Sequence, residues 1–278
     1  MKWRGRRQSS NVEDRRGMGM GGKTAIGGGI GSIIVILLFT LLGGNPGDLT
    51  NNTPTTNGTN PNTPMNVSSQ EEELADFVSV VLADTEDVWS EEFKEQGLEY
   101  EEPKLVLYRD SVQSACGSAS SAVGPFYCPG DHKLYIDLSF YEQLRQRFQA
   151  PGDFAMAYVI AHEVGHHVQT LLHAGEQATP EQKRSNEHSV RFELQADYLA
   201  GVWAHHAKGK GYLEEGDLEE ALAAANAVGD DNIQKKSQGY VVPESFTHGT
   251  SQQRKRWFYK GFENGTLEGG DTFNEADL

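Results

Sequence analysis

In this 278-residue chain the run His162-Glu163-Val164-Gly165-His166 stands out, because its residue types and spacing suit metal-assisted hydrolysis. Histidines four apart on a helix lie one turn above each other on one face, so two imidazole nitrogens can converge on a single ion. Glu163 neighbours both. From there it can reach a water at the metal without ligating, and take its proton as the water attacks a carbonyl. A surface helix that happens to carry two histidines is the plain alternative. The flanking Tyr158, Val159, Ile160, Ala161, Val164 and Val168 argue against it, since histidines in so apolar a helix need partners.

A hydrolytic zinc takes three protein ligands and leaves one position open. The third is expected from a later segment, Glu193-Leu194-Gln195-Ala196-Asp197, again spaced by four. Glu193 can ligate while Asp197, one turn on, accepts a hydrogen bond from the outer nitrogen of a ligand imidazole. Glu187 is the alternative ligand, and a solvated helix face is the plain reading of Glu193 and Asp197. A longer HExxH pattern with a third histidine is absent, because Gln169 and Leu172 stand where its glycine and histidine would be.

The elements that must position these groups can be read coarsely. Glu71 to Phe93 has helical apolar spacing after an acidic first turn. Strands are expected at residues 105–110 and 133–140, where Leu134, Ile136 and Leu138 alternate with Tyr135 and Asp137. Pro151-Gly152-Asp153 signals a helix start with Asp153 as a cap, leading into the motif helix. Further helices are expected over about 180–207, 213–228 and from Thr250 or Ser251 onward. Few strands and dominant helices make an α+β chain.

The net charge of −16 is unevenly spread: seven of the 24 basic residues, but only two of the 40 acidic ones, fall in residues 1–23. The remainder is acidic enough to repel nucleic acid, which is therefore not an expected partner. No residue from Thr24 to Gly47 is charged, and Ile30 to Leu42 is almost wholly aliphatic. The expected organisation is a cytoplasmic basic tail at 1–23, a transmembrane anchor at 24–44, a disordered Asn/Thr/Pro-rich linker at 45–70 and a metallopeptidase domain at 71–278. Under the positive-inside rule this is a single-pass membrane protein whose catalytic domain is periplasmic or extracellular, held by one N-terminal transmembrane helix. A cleaved signal peptide is the competing reading. On an oxidising side of the membrane, Cys116 and Cys128 are expected to form a disulfide; two buried free thiols are the alternative.

HEVGHHVQ followed by FELQADYLAGVWA, with SAVGPFYCPGDHKLYIDLSF before and FTHGTSQQRKRWF after, resembles the neutral zinc metallopeptidases of bacterial envelopes over roughly residues 70 to 265. The opening KWRGRRQSSNVEDRRG is also similar to that family. The resemblance implies a zincin-like, mostly helical fold with a small sheet, and a gluzincin-like site with His162, His166 and Glu193 on zinc and Glu163 as base. His248 resembles the downstream histidine that steadies the oxyanion in related zincins; a turn histidine at a helix start is the alternative. Ser121 to Cys128 is either an edge strand that receives an extended peptide or an ordinary core strand. His167, His173, His188, His205 and His206 are expected at the surface or in packing. The function expected is hydrolysis of peptide bonds in a peptide or protein by metal-activated water; the alternative is a non-catalytic zinc-binding envelope scaffold or binding module.

Overall fold

The computed structural model of the chain describes residues 1–17 and 67–278. Thirteen regular elements follow in order: β1 (Val12–Asp14), α1 (Ser69–Glu95), β2 (Lys104–Tyr108), β3 (Ser111–Ser114), β4 (Gly117–Ser120), β5 (Phe126–Cys128), β6 (Lys133–Asp137), α2 (Ser139–Gln146), α3 (Asp153–Leu171), α4 (Asn186–Gly209), α5 (Asp217–Ala227), α6 (Asp230–Gln238) and α7 (Ser251–Asn264). This is the expected mixed α+β class, with helices dominant. The sheet runs β1-β2-β6-β5; β1, β2 and β6 are parallel, and β5 lies antiparallel to β6 at the edge. A separate hairpin, β3–β4, is joined to the end of β5 by the Cys116–Cys128 disulfide.

The helices form one core. Helix α3 is buried along almost its whole length, against α4, α5 and α1. Small residues let the backbones close in. A Cβ on Gly165 would lie 3.0 Å from the Ala196 carbonyl of α4, and one on Gly201 would lie 2.0 Å from the Phe258 carbonyl of α7. The first of these approaches sets the distance between the two halves of the histidine–carboxylate site.

Several boundaries differ from the sequence expectation. Strand β6 ends at Asp137, whose carboxylate accepts the Ser139 N–H and turns the chain into α2. Helix α4 begins only at Asn186, where Ser185 caps the His188 N–H. Asp153 is not the cap of α3: Gly152 occupies that position, and the Asp153 carboxylate binds the Met1 amine at 2.6 Å. Thr250 and Gln253 build a reciprocal capping box at the start of α7.

The single-pass topology, with its cytoplasmic tail and external catalytic domain, is corrected by where residues 1–17 lie. They are part of the same folded body as the helices. Val12–Asp14 pair in register with Leu105–Leu107. Arg6 pairs with Asp84, Arg7 with Glu86 at 2.9 Å, and Arg16 reaches Glu72 at 3.4 Å. A single crossing between residues 17 and 67 would tear β1 from β2. Among the described residues no helix is long and apolar enough to cross a membrane; the proposed anchor at 24–44 and most of the linker at 45–70 lie outside them. Four of the basic residues that suggested a cytoplasmic tail, Arg4, Arg6, Arg7 and Arg16, instead pair with carboxylates on α1. Removing residues 1–17 should leave Asp84 and Glu86 buried without their cations and open the β2 edge, lowering stability by at least about 3 kcal/mol in urea unfolding. A truncated chain as stable as the full one would detach this segment from the fold.

Candidate metal centre

His162 and His166 leave the same face of α3, their rings edge to face at 4.8 Å. Glu193 enters from α4. Its Oε2 lies 3.2 Å from His162 Nε2 and its Oε1 3.5 Å from His166 Nε2. One ligand atom from each of the three residues falls within 4.8 Å of the others. Glu187, the alternative third ligand, is exposed on the first turn of α4, where it pairs with Arg191 at 3.0 Å.

The outer nitrogens are committed. His162 Nδ1 is 2.9 Å from Asp197 Oδ1, and His166 Nδ1 is 2.8 Å from Gln169 Oε1. The Gln169 amide nitrogen donates to the Phe192 carbonyl and to Gln195, which fixes its oxygen toward His166. Both acceptors therefore hold Nδ1–H on the imidazoles, and both Nε2 atoms face Glu193. Two imidazoles and a carboxylate converging in a buried space could hold a cation between them, and this donor set suits zinc. Burial alone would depress His162, but Asp197 and Glu193 outweigh it and raise the ring to about 9. Burial drives His166 down to about 4. Glu193 is pushed up by burial, yet His166, His248 and His162 outweigh that and hold it below the usual carboxylate range.

Around this trio the structure assembles residues the sequence reading missed. Asp197, fully buried, accepts from the Tyr158 hydroxyl at 2.5 Å and from Arg254 at 2.8 and 2.9 Å. Arg254 comes from α7 and lies 4.0 Å from Glu193. Its signal was in the sequence: Arg254 falls on the stripe Trp257, Phe258, Gly261 and Phe262, which α7 buries. An arginine there needs buried carboxylates.

His248 lies at the turn before α7. Its Nδ1 is 3.1 Å from Asp230 Oδ1, while Asp230 Oδ2 accepts the N–H groups of Thr247, His248 and Gly249. Burial would lower its pKa, but Glu193 and Asp230 outweigh that and raise it. Glu163 is buried beside the trio; burial pushes it up to about 7 against the opposing charge of His162, and the Tyr127 N–H of β5 donates to it. Residues 121–128 comprise a short turn and β5, at the sheet's edge. The other histidines lie elsewhere: His173 pairs with Glu176, His188 packs on Phe273, His205 bonds the Phe262 carbonyl of α7 and His206 the Gly265 carbonyl just after it, and His167 is buried between Glu101 and Tyr127.

A mixed α+β chain with an HExxH helix facing a carboxylate from the next helix has the arrangement by which HExxH zinc peptidases are known. The family model described as "Putative neutral zinc metallopeptidase" matches residues 1–273, and the chain belongs to that family. It is 48% identical over 286 residues to the uncharacterized protein YpfJ of Escherichia coli, covering 99% of this chain and 100% of that protein. It is 45% identical over 190 residues to the uncharacterized protein Rv2575 of Mycobacterium tuberculosis, covering 64% of this chain and 65% of that protein. No solved structure matches the chain.

Proposed function

We propose that this chain is a zinc-dependent peptidase in which His162, His166 and Glu193 hold the metal and Glu163 is the general base. The observation that carries the reading is the convergence of three ligand atoms within 4.8 Å, with each histidine's outer nitrogen already held by an acceptor. Zinc, when bound, would polarise a scissile carbonyl and acidify water.

The protein's own groups supply the rest. Glu163 takes the proton of the attacking water and returns it to the leaving amine; its pKa, raised by burial to about 7, suits a group that must both accept and give. His248, whose hold on its proton Glu193 and Asp230 strengthen, would donate to the oxygen that gains charge. Asp197 orients His162, and Arg254 with Tyr158 hold Asp197 in place. The open edge of β5, next to Glu163, offers backbone groups to an extended peptide.

The test is metal analysis of the full-length chain together with cleavage of a quenched peptide library. Bound zinc near one equivalent is expected, with hydrolysis abolished by a chelator and restored by added zinc. Zinc without hydrolysis would favour the scaffold reading instead.

A further inference from the structure

We infer that His167 is a positioning residue: through the Tyr127 hydroxyl it pins β5 to the metal-bearing helix α3 and so sets where Glu163 holds its carboxylate. The consequence for turnover rests on the peptidase reading above; the pin itself does not.

His167 follows His166, but one step along a helix turns the side chain by about 100°. Its ring sits, fully buried, among those of Tyr100, Tyr127 and His132. Nε2 lies 2.6 Å from the Glu101 carbonyl and Nδ1 lies 3.0 Å from the Tyr127 hydroxyl. A carbonyl can only accept, so Nε2 carries the hydrogen and Nδ1 presents a lone pair. The Tyr127 O–H therefore donates to His167.

The main chain of the same tyrosine reaches α3 at a different point, where its N–H donates to Glu163. Tyr127 is thus tied to one helix at both ends. Strand β5 pairs with β6 over only three residues, and among the described residues no strand pairs with its other side. So short an edge strand is weakly held by its ladder, and the side-chain anchor decides how far it rides from α3. Displacing a reacting group by 1 Å can cost about 10²-fold in rate, so a partial release should be visible in turnover.

Tyr127→Phe deletes one oxygen and keeps the ring. In the zinc-loaded full-length chain we expect unchanged zinc content, faster deuterium uptake in the peptide spanning residues 126–128, and kcat on a quenched peptide library down about tenfold with KM little changed. His167→Gln can donate to Glu101 and accept from Tyr127, so it should recover most of the rate lost in His167→Leu, which space-filling alone would not give. Unchanged uptake in Tyr127→Phe would overturn the pin. Faster uptake with wild-type kcat would overturn its link to Glu163. If the zinc-loaded wild type cleaves nothing, the peptidase reading fails, and the uptake comparison still decides the pin.

Discussion

Glu163→Gln is expected to keep its zinc and lose between about 10² and 10⁴ of kcat/KM, the range a positioned proton-transfer group supplies. The reason is geometric. The ligand trio consists of His162, His166 and Glu193, and Glu163 is not among the groups that converge. An amide of the same size occupies the same buried space and can still accept from the Tyr127 N–H, so neither packing nor the edge strand is disturbed. What disappears is the capacity to take a proton. Metal analysis beside a progress curve on the peptide library separates the two functions. Turnover near that of the wild type would remove Glu163 from proton transfer, and a loss of zinc would reassign it as a ligand.

How much of this could be read from the chain depended on whether the signal was local. His162, Glu163 and His166 fall within one helical turn, and Glu193 and Asp197 repeat the same spacing on another helix, so both halves were visible as patterns. That α3 and α4 face each other is a tertiary fact, enforced by Gly165 against Ala196. Arg254 and Tyr158 escaped because each acts through a partner more than 20 residues away; Gln169 holds His166 three residues off, but only Phe192 and Gln195 on α4 turn its oxygen that way. Asp230 escaped because an acidic residue at a helix start has a sufficient local explanation in the helix dipole.

The N-terminal segment misled for a related reason. A basic cluster ahead of an aliphatic run satisfies the positive-inside rule, whatever those cations pair with in the fold. Strand β1 has three residues, too few for alternation to show, and its partner β2 lies some 90 positions on. Helix α2 was hidden differently: its eight residues follow β6 with only Leu138 between, so the apolar run at 133–140 read as one longer strand.

The second large effect is expected at Glu193→Ala, which should weaken zinc by at least about 100-fold, beyond the 10- to 100-fold typical of losing an outer partner of a ligand. The carboxylate contributes to the centre in two ways. It is one of three donors, and its charge offsets that of the buried Arg254 guanidinium. Without it, two imidazoles remain, with the Arg254 guanidinium, 4.0 Å from Glu193 Oε2 in the intact site, facing the gap. A cation offset by Asp197 alone repels the metal more strongly, so the loss exceeds that of a simple ligand count. Glu187→Ala is the control, because that residue is exposed and paired with Arg191 on the first turn of the same helix. Competition with a chelator of known zinc affinity measures all three proteins on one scale. Weak zinc in Glu193→Ala beside wild-type zinc in Glu187→Ala is the expected pair of results, and undiminished affinity in Glu193→Ala would place the third ligand elsewhere.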